Sequence, residues 1–149
     1  MSNRGRIKGK NGERAIRMLL NKEGWYIAHQ EIQGLAGDDF FAKDPNGKWW
    51  SIEVKNCTAF HPKFIGQAKR QGVERYWSIQ KKLQEGSEES EVMKFLGMDT
   101  FEQGDWLVLW HPSNANARAT LWVAMYKEKE GGYTTVISPF LGVINEGKI

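Results

Sequence analysis

The sequence predicts an α/β domain with helices laid on a sheet, and three observations carry that prediction. A turn signal, DPNG at Asp44–Gly47, separates two segments that alternate with period two, as half-buried strands do. Segments of helical periodicity flank this hairpin, at residues 11–23 and 63–84. Two strongly apolar strand candidates follow, DWLVLWH and TLWVAMYK. The 149 residues suit one domain, and 40% hydrophobic content with seven tryptophans supplies a real core.

Met1–Lys10 is polar, basic and glycine-containing, and reads as a mobile arm. Residues 1–22 hold seven of the 21 basic residues but only one of the 18 acids, Glu13. The remaining chain is mildly acidic, with 14 basic and 17 acidic residues. A basic arm on such a body fits either a phosphate-rich partner or a solvated tail. Asn11 can cap a helix running to about Glu23, with Gly24 as its stop. Ala15, Ile16, Leu19 and Leu20 form the apolar stripe. Glu13 lies on or beside that stripe, either complementing the helix dipole at the surface or pointing toward the acidic face of the hairpin.

Trp25–His29 is a short strand candidate, and Gln30–Gly37 a loop into the hairpin. With the turn centred on Asn46, Asp39 lies opposite Glu53, Phe40 opposite Ile52, and Phe41 opposite Ser51. Phe40, Ala42, Trp50, Ile52 and Val54 then share a core face, while Asp39, Phe41, Ser51, Glu53 and Lys55 share the other. Cross-strand neighbours have Cβ atoms about 4.5–5.5 Å apart. Two carboxylates that close need a proton or a cation between them. The cation that suits oxygen ligands is hard and divalent, Mg²⁺ or Mn²⁺. Trp49, on the Glu53 face near the turn, is a candidate for stacking on a base, whereas Trp106, Trp110 and Trp122 read as core.

Pro62 suits the first turn of a helix over about residues 63–84, with Ile65, Ala68, Tyr76, Ile79 and Leu83 inward. Gly66 and Gly72 mark close packing or a kink. Gln67, Lys69, Arg70 and Gln71 lie near its start and either touch a nucleic-acid backbone or form a solvated face. Residues 85–104 read as an excursion that opens with a flexible acidic stretch, EGSEESE, followed by a short helix ending at Gly97. Residues 105–111 read as a central strand, 120–127 as the next, and 133–138 as a last edge strand. His29, His61 and His111 lack ligand spacing and read as structural or surface residues. The single cysteine, Cys57, excludes an internal disulfide and a cysteine-rich zinc site. Without a long apolar run or signal-peptide pattern, a cytoplasmic location is expected.

A helix with a first-turn Glu, a strand, an Asp–turn–Glu-x-Lys hairpin, then helix and strand: this order resembles the PD-(D/E)XK, restriction-endonuclease-like nucleases. Within them it is most similar to the archaeal and phage Holliday junction resolvases. The residues that carry the resemblance are GKNGERAIRMLL, GDDFFA, WWSIEVK and IGQAKRQ, all within residues 9–84. Asp38 stands where the motif's proline usually stands.

The resemblance implies a central mixed sheet of about five strands flanked by helices, spanning residues 1–149 as one nuclease domain. It implies an endonuclease that hydrolyses DNA phosphodiester bonds with Mg²⁺ or Mn²⁺, acting on branched or duplex DNA as a homodimer and belonging to recombination, with a phage as a fitting source. Asp39, Glu53 and Lys55 would form the catalytic core, with Glu13 as an accessory acid. Asp39, Glu53, Glu13 and the Val54 carbonyl would hold the metal. Arg4, Arg6, Lys8, Lys10, Arg14, Gln67, Lys69 and Arg70 would grip the nucleic acid. Two other readings stand beside this one. The first is a non-catalytic nucleic-acid-binding module on the same fold; the second is an interaction protein in which Asp39, Glu53 and Lys55 are a surface ion-pair cluster.

Overall fold

The computed structural model describes residues 14, 16–28, 38–57, 59, 61–112, 122–129 and 132–139. It is mixed α/β. A first helix, α1, covers residues 16–22. Gly24, at φ +84°, ends it in the left-handed conformation that glycine adopts without strain, and the Trp25 N–H returns to the Leu20 carbonyl at 2.9 Å. The strands β1 (Tyr26–Ile27), β2 (Phe40–Lys43) and β3 (Trp49–Cys57) follow. Next come the long helix α2 (Lys63–Gln84), the short helix α3 (Glu88–Phe95) and a 3₁₀ turn at Met98–Thr100. The chain continues through β4 (Trp106–Pro112), β5 (Trp122–Lys129) and β6 (Gly132–Pro139).

The hairpin register is the one the sequence predicts: Phe40 faces Ile52, Phe41 faces Ser51, and Lys43 faces Trp49. Asp44 organises the turn. Its Oδ1 accepts from the N–H groups of Asn46 (2.8 Å) and Lys48 (3.0 Å), and its Oδ2 accepts from Trp50 Nε1 at 3.0 Å. Gly47 takes φ +91°, which completes the turn.

The strand order is β1-β2-β3-β4, antiparallel except for the parallel β3–β4 pair. A parallel pair needs a crossover, and α2 with α3 provides it. Four strands pair in this sheet rather than the expected five. β5 and β6 pair with each other as a separate antiparallel ribbon, with β5 packed next to β4.

Both faces of the sheet are covered. Ile16 and Leu20 of α1 pack on Phe40, Ala42, Trp50, Ile52 and Val54 with Leu107 and Leu109. The opposite face meets the crossover helices: Phe41 and Trp49 pack with Ile79, Met93, Met98 and Phe101, and Trp106 and Val108 pack with Phe64 and Ala68. Gly72 lets α2 approach β4, because a Cβ there would stand 3.2 Å from both the Gln103 carbonyl and Trp106 Cβ.

EGSEESE is not a flexible stretch. Ser87 caps α3, its side chain accepting from the Ser90 N–H, and Glu88, Glu89 and Glu91 in the first turn complement the helix dipole. Lys82 of α2 bonds Glu89 at 2.6 Å, tying the two helices together. Among the described residues, no helix is long and apolar enough to cross a membrane.

Candidate functional site

The site forms where the open end of the hairpin meets the start of α2. Asp39 lies one residue beyond the last paired position of β2, and its N–H donates to the Ile52 carbonyl at 3.0 Å. Its Oδ2 accepts from the Val54 N–H at 2.7 Å. This bond fixes the Asp39 carboxylate against β3, beside Glu53. Glu53 is buried, and among the described residues its Oε2 has no hydrogen-bond partner. Its Oε1 stands 3.5 Å from Lys55 Nζ.

Burial raises the pKa of Glu53, and the neighbouring Asp39 charge raises it further; Lys55 pulls it down but does not offset the other two. The result is about 8, against an ordinary value of 4.5. A carboxyl so shifted holds a proton at neutral pH unless a cation takes the proton's place.

Lys55 is held on three sides. Its Nζ donates to Gln67 Oε1 at 2.8 Å, lies 5.1 Å from the centroid of the Phe64 ring, and faces Glu53. Gln67 and Phe64 both come from the first turns of α2. The helix that follows the Glu-x-Lys strand therefore holds the lysine beside Glu53.

The adjacent acid, Asp38, is committed elsewhere. Arg75 grips it with a fork, Nη2 to Oδ1 at 2.6 Å and Nε to Oδ2 at 3.1 Å, and Ser51 Oγ donates to Oδ2 at 3.0 Å. The two side chains are 1% and 0% exposed. The guanidinium also lies 4.9 Å from the Phe41 ring. A charged residue on a helix reads as solvated, and the sequence therefore hides Arg75. The available signal was its spacing: Phe64, Ala68, Gly72, Arg75 and Ile79 make one buried stripe.

The structure brings together Asp39, Glu53, Lys55 and Gln67. Gln67 acts here as the partner of Lys55. Arg70 and Arg14 are exposed, and Lys69 is half-buried. Trp49 is not a stacking residue: it is 1% exposed, its ring stacks on Phe41 at 4.7 Å, and its Nε1 donates to the Leu96 carbonyl at 2.9 Å. The face it occupies is buried under the crossover helices, which the hairpin sequence alone does not reveal. Glu13, Arg4, Arg6, Lys8 and Lys10 lie outside the described residues, as does the Gln30–Gly37 loop.

Asp39, Glu53 and the Val54 carbonyl are the groups here that could hold a hard divalent ion. Glu53 Oε2 lacks a donor among the described residues, and burial, with the Asp39 charge beside it, raises the Glu53 pKa. Mg²⁺ commonly takes only one or two carboxylates and fills its other positions with water and substrate phosphate. Among the described residues, no group of three or more His, Cys, Asp or Glu side chains is placed to hold an ion.

No protein-family model, curated protein or solved structure matches this chain.

Proposed function

We propose that this protein is a metal-dependent DNA endonuclease of restriction-endonuclease-like architecture. One observation carries the reading: a buried Glu53 oxygen without a donor, beside the Asp39 carboxylate, with Lys55 aimed at the same point. Asp39, Glu53 and the Val54 carbonyl would hold Mg²⁺ or Mn²⁺. The chemistry such an ion supplies is polarisation of the scissile phosphate and acidification of a water molecule.

The chain's own residues do the remaining work. The Val54 N–H holds the Asp39 carboxylate in place against β3. Gln67 and Phe64 hold the Lys55 ammonium, which orients the attacking water and offsets charge that builds on the phosphoryl oxygens. Such preorganised charge acts most strongly where water is excluded, and Glu53 is already buried.

The test is a cleavage panel of supercoiled, linear and branched DNA with Mg²⁺, Mn²⁺ or EDTA. Cleavage is expected with either metal and is abolished by EDTA. Asp39→Asn and Glu53→Gln should each lower the rate by about 10²–10³ or more, the scale for removing one preorganised charge-stabilising group. Full activity in either variant rejects the assignment. DNA binding without nicking under every condition assigns the chain to a non-catalytic binding module instead.

A further inference from the structure

The outer face of α2 carries a tryptophan that the core does not use. Trp77 is 59% exposed, whereas Trp25, Trp49, Trp50 and Trp106 are 5% exposed or less. Its ring is not loose: the Tyr76 ring meets it edge-on, at 5.3 Å and 81°. More than half of the Trp77 side chain is open to solvent. It stands in a stripe of exposed residues at helical spacing, with Lys63, Arg70 and Glu74 before it and Lys81 after it. None of the three cations joins an ion pair among the described residues, and the single acid between them leaves the stripe basic. At 1.5 Å per residue, Arg70 and Lys81 lie about 10 Å and 6 Å along the axis from Trp77. The same helix, about 15 Å back toward its start, holds Gln67 against Lys55.

We propose that this face is a binding site for single-stranded DNA, with Trp77 stacking on an unpaired base and Lys63, Arg70 and Lys81 taking the flanking phosphates. Aromatic stacking with a basic track along the backbone is how single strands are held without sequence preference. A paired base in a duplex offers no free face to an indole on a helix surface, so the site distinguishes unpaired from paired substrate. This rests on the nuclease reading and adds a substrate class to it: DNA with an unpaired segment a short distance from the scissile bond.

Binding measured in EDTA, without chemistry, tests this separately from catalysis. Fluorescence anisotropy would compare a labelled oligothymidylate with a blunt duplex of equal length, using the full chain and its Trp77→Ala and Trp77→Phe variants. Trp77→Ala should weaken oligothymidylate binding about tenfold, the scale of one lost stack, and leave duplex binding unchanged. Trp77→Phe should retain most of the affinity. Intrinsic fluorescence should be quenched by oligothymidylate in the parent protein and not in Trp77→Phe. Neutralising Lys63, Arg70 and Lys81 together should lower the salt dependence of binding by about 0.7 in log–log slope for each phosphate contact removed.

Unchanged single-strand affinity in Trp77→Ala, with cleavage intact, overturns this inference and leaves the nuclease reading standing. A parent protein that does not bind the oligothymidylate also overturns the inference, while the nuclease reading is decided by the cleavage panel. Unchanged DNA binding with a shift in sedimentation on Trp77→Ala assigns the residue to contact between copies of the chain and likewise overturns the inference.

Discussion

Arg75 and Asp38 close a buried fork between the long helix and the hairpin, at 2.6 and 3.1 Å. The pair sits one residue before Asp39, so the backbone that presents the candidate metal acid is pinned to α2. Removing one partner strands the other as a buried charge, which costs about 3–5 kcal/mol. Arg75→Met should therefore destabilise the fold by that amount in urea denaturation. Replacing both partners together, as Arg75→Met with Asp38→Leu, removes the stranded charge and should recover most of the loss. A double variant no more stable than the single one would mean that Arg75 matters through its packing on Phe41 instead.

Lys55 and Gln67 form the corresponding joint at the site itself. Gln67→Leu keeps the size of the side chain and removes the acceptor. Lys55 then loses one of its three restraints while Glu53 and Phe64 remain. On the proposed mechanism Lys55 acts in the transition state, so the expected outcome is a loss of about tenfold in kcat with little change in KM. Thermal stability should stay within about 0.5 kcal/mol, as for substitutions away from the core. A change confined to KM would instead assign Gln67 to substrate binding.

The two glycines of α2 should answer oppositely to alanine. Gly66 is exposed, and a Cβ there meets nothing within 4 Å. Gly66→Ala should stabilise the protein by about 0.5–1 kcal/mol through helix propensity alone. At Gly72 the added Cβ would press on the Gln103 carbonyl and on Trp106, both at 3.2 Å, and a backbone carbonyl cannot rotate aside. Strain of about 1–3 kcal/mol then exceeds the propensity gain. Paired thermal melts read both signs.

Much of this arrangement was legible in the sequence. Period-two alternation around DPNG fixed the register, and with it Asp39 rather than Asp38 beside Glu53. The helix at 63–84 followed from its periodicity. What the sequence hid lay on the second face of the hairpin. A strand buried on both faces does not declare which of its polar residues are covered. Trp49 therefore looked available when α3 and its following turn enclose it, and Asp38 looked like a motif departure when it is half of an ion pair. Arg75 was hidden for a related reason: its partner lies 37 residues away, and local pattern carries no sign of it. EGSEESE reads as flexible from composition, although Ser87 followed by acids is a helix start. Trp77 stood plainly in the sequence, but only the helix geometry shows that it faces water beside three cations.

Glu53 yields the prediction that joins stability to the candidate chemistry. Its folded pKa, about 8, lies above the ordinary value of 4.5. In the metal-free protein the folded state therefore binds more protons than the unfolded state between these limits. Stability from this group is fully present below about pH 4.5 and is lost as the pH rises through about 8. Glu53→Gln abolishes that slope and mimics the protonated form. It should raise Tm near pH 9 by about 2–4 °C for each kcal/mol of relieved strain, and change it little near pH 5. A divalent ion competes with the same proton. Mg²⁺ or Mn²⁺ affinity, followed by calorimetry without DNA, should rise by up to about tenfold per pH unit below the Glu53 pKa and level off above it. Binding should also release a proton, which appears as a dependence of the measured heat on buffer ionisation. A metal affinity flat across this range would remove Glu53 from the ligand set, even if the pH dependence of folding remained.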